Sequence, residues 1–198
     1  MRMKFLSALA AALLLSACAA PASNGPTADS AGQAELVALR ERYGLPDCPE
    51  TDPTTVQLEG GLPQTDLGCL GSDKMVNLAG LPRTPTVINL WAQWCGPCRA
   101  ESGFLREGMA ELDGVSFLGI NYDDPKPDWA LEFADLVGWD YPHVTDPAKT
   151  LRAELSVPGL PTTYFVDAEG RIAGVHAGEL ESKQQLLDLA QQYLGVTP

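Results

Sequence analysis

Two cysteines separated by two residues, Cys95 and Cys98, lie in the middle of the stretch VINLWAQWCGPCRAES, Val87 to Ser102. A pair at this spacing can be half of a metal site, a covalent staple, or a couple that exchanges electrons. Structural zinc takes four Cys or His ligands, commonly a second such pair or two histidines. The chain has one CxxC, and His143 and His176 fall far away in different predicted elements. No metal or other cofactor is therefore expected. A staple across so short a loop removes little chain entropy, which leaves redox exchange as the favoured chemistry.

That chemistry depends on what positions the pair. The run TVINLWA before it is continuously apolar, the mark of a strand buried on both faces. A helix is predicted to follow at about 97–112, so Cys95 stands at a helix start. Unpaired backbone N–H groups and the positive end of the helix dipole favour an anion there. The thiolate, which is the attacking species, is thereby populated. Pro97 suits the first turn, which needs no N–H from it. Cys98, one turn further in, is expected to be more buried and to stay a thiol until it resolves a mixed disulfide. This assigns Cys95 as nucleophile and Cys98 as resolving cysteine.

Glu101 lies three residues after Cys98, on the same helix face. A partly buried carboxyl beside a thiol can have its pKa raised and take the Cys98 proton; the alternative is a solvated helix residue. Trp94 abuts the nucleophile and is expected, with Gly96 and Pro97, to form the surface on which substrate docks. Trp91, within the buried strand, is expected in the core, and His143 and His176 are read as structural or surface residues.

Around this centre the chain alternates strands and helices. A short helix closed by Gly44 precedes an irregular stretch, 45–83, in which short strands or a hairpin are possible. A second buried strand is predicted at 115–122, helices at 127–138 and 147–155, and a strand in the second half of VPGLPTTYFVD. A turn at 167–170, an antiparallel partner strand and a terminal amphipathic helix complete the order. Such an order predicts an α/β fold, a central mixed sheet with helices on both faces.

Cys48 and Cys69 lie in the irregular stretch. Joining them closes a loop whose ideal entropic contribution is about 3 kcal/mol, and a structural disulfide pinning this stretch to the sheet is expected. A second redox pair is the alternative, disfavoured because neither cysteine opens an evident helix beside a partner thiol.

Charge and the first residues bear on location. With 26 acidic against 13 basic residues the formal net charge is −13, which disfavours nucleic acid as a partner. Anionic lipid would also repel it, so membrane attachment requires a covalent or hydrophobic anchor. Arg2 and Lys4 followed by an apolar run to Leu15 read as a secretory signal, the run being too short to span a bilayer comfortably. Leu15-Ser16-Ala17-Cys18 resembles the lipobox of bacterial lipoproteins, which implies a leader at 1–17, lipidation of Cys18, and a tether at 18–32. Four cysteines then remain, an even number for an oxidising compartment. The domain proper is placed at 33–198, with an N-terminal extension at 33–83.

WCGPC after a buried strand, followed by Val157-Pro158-Gly159-Leu160-Pro161-Thr162, resembles the thioredoxin superfamily. NLWAQWCGPCRAE is more narrowly similar to the TlpA/ResA-like group of exported, membrane-tethered thiol–disulfide oxidoreductases, over about residues 66–195. The resemblance implies a thioredoxin-like fold and a cis Leu160–Pro161 bond. It also implies that Pro161 packs beside the cysteines, and that the backbone at Leu160 pairs with a substrate strand. Pro161 as a plain turn residue is the alternative; Pro158 is read as such a turn. Two departures from cytoplasmic thioredoxin stand out. Asn89 occupies the place of a buried Asp and cannot titrate, with Glu101 as the replacement acid; Gly103 stands where many relatives have a helix-kinking proline.

The resemblance implies reduction of disulfides in exported proteins, notably the CxxCH of apocytochrome c, with electrons from a membrane donor. The Gly-Pro spacer agrees, thioredoxin lying at about −270 mV against about −120 mV for the oxidant DsbA. A disulfide oxidase, or a non-catalytic lipoprotein binding copper or a partner, is the alternative. A monomer is the default expectation.

Overall fold

The computed structural model describes residues 28–197; the stretch read as a leader, 1–17, and the expected lipidation site Cys18 lie outside the described residues. Helix α1 (Ala28–Tyr43) begins inside the stretch read as tether and ends at Gly44, whose φ of 67° suits glycine. The irregular stretch contains the hairpin β1 (Asp66–Cys69) and β2 (Met75–Asn77), then a single 3₁₀ turn, Leu78–Gly80. From there the order is β3 (Thr86–Trp91), α2 (Gly96–Glu111), β4 (Ser116–Tyr122), α3 (Pro127–Leu136), β5 (His143–Asp146) and α4 (Leu151–Glu154). Strands β6 (Thr162–Val166) and β7 (Ile172–Ala177) and helix α5 (Lys183–Leu194) complete it.

Seven strands form one mixed sheet in the order β2-β1-β5-β4-β3-β6-β7, with β3, β4 and β5 parallel and the others antiparallel to their neighbours. The α/β expectation holds, with two corrections. Strand β5 has no apolar run to announce it, yet it joins the parallel centre to the N-terminal hairpin. The predicted helix at 147–155 is a single turn, because the Asp146 carboxylate accepts the Thr150 and Leu151 N–H groups at 2.8 and 2.9 Å and so delays the start.

The helices are also distributed unequally. Both parallel crossovers, β3-α2-β4 and β4-α3-β5, step across the sheet in the same direction. Right-handed crossovers therefore place α2 and α3 on the same face. There α2 packs on α5 and α3 on α1, over a core including Val87, Trp91, Phe117, Phe133, Trp139 and Phe165. The opposite face is covered by α4 and the N-terminal extension, whose Leu151, Leu62, Leu67, Cys48 and Cys69 share a core with Ile88, Leu90 and Ile120. Every residue of β3 is buried, as its apolar run predicted. Strand β3 is thus fixed from both sides, and it delivers the cysteine pair to the carboxyl end of the sheet's parallel strands.

Candidate redox site

The chain leaves β3 at Trp91, and Cys95 becomes the N-cap of α2 (φ −77°, ψ 109°), its Sγ accepting the Cys98 N–H at 3.2 Å. Pro97 occupies the first turn, as expected. Cys95 and Cys98 are joined as a disulfide with Cα atoms 5.3 Å apart. Both are buried, Cys98 fully and Cys95 with 4% of its surface exposed, and of the two only Cys95 lines the open groove. The approach is fixed by Asp124, whose Oδ2 accepts the Gln93 N–H at 2.9 Å and the Asn121 amide at 3.0 Å. Trp94 is about half exposed, and its indole N–H donates to the Asp123 carbonyl at 3.0 Å.

The facing wall comes from the segment before β6. The Leu160–Pro161 bond is cis, the Pro161 carbonyl accepts the Gly178 N–H at 3.0 Å, and Thr162 Oγ1 donates to the Gly159 carbonyl at 2.7 Å. Between the walls lies a groove of about 310 Å³ lined by Trp94, Cys95, Gly96, Pro97, Pro158 and Leu160 among others. Of the residues read from sequence as substrate-facing, Trp94, Gly96, Pro97 and Leu160 line this groove, whereas Pro161 is buried and does not. The structure adds Tyr122, Asp123, Lys149, Arg152 and Val157. These additions come from the end of β4, from α4 and from the segments on either side of it. Their one advance signal was position, since ligands bind beyond the carboxyl ends of parallel strands.

Glu101 is not a solvated helix residue: it is fully buried. Its Oε1 accepts the Asn89 amide at 2.9 Å and its Oε2 the Leu180 N–H at 2.8 Å. Burial pushes its pKa up to about 7; the Leu180 and Asn89 hydrogen bonds oppose that rise and the Glu179 charge adds to it. Asn89 also donates to Thr163 Oγ1 at 3.2 Å, a contact from β6 that sequence reading missed. A carboxyl with this pKa exchanges its proton near neutral pH, one helical turn beyond a buried sulfur.

Trp91 is in the core, edge-on to Trp139 at 5.0 Å between ring centroids. His143 is buried in β5, where desolvation lowers its pKa to about 3, and it stands apart from the cysteine pair. Cys48 and Cys69 form a second disulfide, Cα atoms 6.0 Å apart, that ties the extension to β1. Asp47 approaches those sulfurs closely enough to share an ion with them, but both are committed to the disulfide. Gly103 lies within an unbroken α2.

A cysteine N-cap facing a cis-proline segment, on a mixed sheet with a buried second cysteine, is matched by a known family profile. The AhpC/TSA family matches residues 62–175. The chain belongs to the AhpC/TSA family. Among curated relatives of this member, the thiol:disulfide interchange protein DsbE of Yersinia pestis is 34% identical over 56% of this chain and 60% of its own length. DsbE of Pseudomonas fluorescens biotype C is 34% identical over 66% and 72% respectively. The chain thus spans about 60–72% of the length of these two relatives. The crystal structure of a secreted thiol-disulfide isomerase from Corynebacterium glutamicum superposes with a TM-score of 0.60. It is 33% identical and covers 67% of this chain and 84% of its own. This AhpC/TSA family member accordingly has the thioredoxin-like fold that its motifs implied.

Proposed function

We propose that the protein is an exported thiol–disulfide oxidoreductase that reduces disulfides of extracytoplasmic proteins. One observation carries the reading: Cys95 caps α2 at an open groove while Cys98 and Glu101 lie buried behind it. In the reduced protein the Cys95 thiolate attacks a substrate disulfide, forming a mixed disulfide and releasing one substrate thiolate, which takes up a proton. Glu101 accepts the Cys98 proton, and Cys98 attacks the Cys95 sulfur. The second substrate thiol leaves, and two electrons have passed from the dithiol to the substrate. Cys95 and Cys98 end as the disulfide present in this structure. Leu160, Trp94, Gly96 and Pro97 line the groove that seats the substrate strand, and Pro161, joined to Leu160 by the cis bond, supports Leu160 from behind.

The relatives named as thiol:disulfide interchange proteins support this chemistry, and the secreted homologue supports export. The TlpA/ResA resemblance supplies the finer reading: a cytochrome c maturation type substrate such as the CxxCH of apocytochrome c. On that reading a membrane electron donor regenerates the dithiol, and Cys18 carries the lipid that holds a monomer at the membrane. The test is insulin-disulfide reduction together with the Cys95–Cys98 reduction potential. Reduction abolished in Cys95→Ser, with a potential near the about −270 mV of thioredoxin, supports the reductase; a value near about −120 mV makes it an oxidase.

A further inference from the structure

The groove beside Cys95 departs in charge from the rest of the molecule. The chain has 26 acidic and 13 basic residues, yet two of the side chains lining this groove are cations, Lys149 and Arg152, against one carboxylate, Asp123. Lys149 Nζ lies 3.2 Å from Asp123 Oδ2, so each neutralises the other. Among the described residues no carboxylate forms an ion pair with Arg152. The nearby Asp146 is buried, and its oxygens accept from Thr150 N, Thr150 Oγ1 and Leu151 N at 2.8–2.9 Å.

The backbone builds this arrangement. Asp146 pins the turn that precedes α4, Lys149 takes a φ of 59°, and the Arg152 N–H donates to the Lys149 carbonyl at 3.1 Å. The two cations are thereby brought to the groove that Trp94 and Pro97 also line. A guanidinium is a planar fork of donors that matches a carboxylate and is weakly hydrated, so it suits an exposed wall that a substrate will cover.

We propose that Arg152 selects protein disulfides flanked by an acidic side chain, which it pairs while Cys95 attacks the adjacent sulfur. The occupant follows from charge complementarity: an otherwise anionic protein offers one unpaired cation at the place where the substrate strand must lie. The proposal rests on the thiol–disulfide exchange reading above and names the substrate class of that same site.

The test uses the reduced, intact chain and three disulfide peptides that differ only in the residue before the first cysteine: Glu, Gln or Lys. Hydroxyethyl disulfide, neutral and small, normalises each protein's rate. An ion pair at a partly exposed site supports a preference of roughly threefold for the Glu over the Gln peptide, with the Lys peptide slowest. The preference should shrink at high salt as screening shortens the reach of the charge. Arg152→Gln should bring the Glu:Lys ratio close to one, and Arg152→Glu should invert it. A ratio of one in the unaltered protein, or one that Arg152→Gln leaves unchanged, overturns the selection while exchange stands. No reduction of hydroxyethyl disulfide overturns the exchange reading and this proposal with it.

Discussion

The Asn89 amide nitrogen donates to Glu101 Oε1 at 2.9 Å and to Thr163 Oγ1 at 3.2 Å, while its own oxygen has no partner among the described residues. The amide thus presents only donors to Glu101, which favours the carboxylate over the acid. Burial pushes the other way and wins, leaving the pKa at about 7. Removing the amide should tip the balance further. A hydrogen bond to a charged group is worth about 1.5–3 kcal/mol, and 1.36 kcal/mol corresponds to one pH unit. Asn89→Ala should therefore move the pH dependence of Cys95/Cys98 thiol reactivity upward by roughly one to two units. Glu101→Gln should remove that inflection altogether. Rates of alkylation of the reduced protein against pH read both; an unchanged profile in Glu101→Gln excludes the carboxyl from proton transfer.

The same carboxyl should leave a mark on stability. Folded Glu101 holds its proton up to about pH 7, whereas its reference value is 4.5, so between these values the folded state binds more protons than the unfolded. Stability from this group is then greatest below 4.5 and is lost as pH rises through 7, by roughly 3 kcal/mol in all. Buried His143 has the opposite slope: its pKa falls from 6.5 to about 3, so its contribution is present above 6.5 and is lost as pH falls toward 3. The two cancel over their overlap, 4.5 to 6.5. Urea unfolding of Glu101→Gln should unmask the rise due to His143, and its advantage over the unaltered protein should grow between pH 4 and pH 8. Parallel stability curves for the two proteins would exclude a buried, titrating Glu101.

What sequence could reveal follows from how local each feature is. The cysteine pair, its helix and the apolar strand before it lie in one continuous stretch, and the structure keeps that stretch as read. The acidic replacement for Asn89 was legible as Glu101 because helical spacing is predictable. Its partners Thr163 and Leu180 were not, since they arrive from β6 and the segment before α5. Strand β5 escaped because His143-Val144-Thr145-Asp146 has no apolar alternation; its burial comes from the aromatic rings of Trp91, Trp139 and Tyr141 around His143. Arg152 and Lys149 reach the groove through a turn fixed by Asp146, a side chain-to-backbone effect that periodicity does not register.

The second disulfide should behave as a structural one. Its sequence separation of 21 corresponds to an entropic contribution of about 3 kcal/mol. Both cysteines are buried, and Cys48 Sγ lies 3.3 Å from the His143 carbonyl oxygen. Cys95 and Cys98 are buried to a similar degree, so burial does not rank the two bonds. The loop closed by Cys95–Cys98 is much shorter, a separation of 3 against 21, and stabilises its disulfide less. Mild reductant should therefore open Cys95–Cys98 before Cys48–Cys69. The double variant Cys48→Ala/Cys69→Ala should lose about 3 kcal/mol in urea unfolding yet still reduce hydroxyethyl disulfide. Simultaneous opening of both bonds, followed by thiol mass labelling over time, would instead make this a second redox pair.

Two glycines of α2 should respond to alanine with opposite sign. At Gly103 an added Cβ meets nothing within 4 Å, so the substitution adds no clash. Glycine within a helix costs about 0.5–1 kcal/mol relative to alanine, largely through the freedom of the unfolded chain. Gly103→Ala should thus raise stability by about that amount. At Gly108 the Cβ would stand 2.4 Å from Leu186 Cδ2 and 3.2 Å from its Cγ. Leu186 belongs to α5 and is fully buried, so it has no free volume into which to retreat. Overpacking of this kind costs about 1–3 kcal/mol, and here it exceeds the helix-propensity gain. Gly108→Ala should destabilise by separating α2 from α5, which pack on one another. Thermal midpoints of the two variants moving in the same direction would mean that the α2–α5 contact is not close-packed at Gly108.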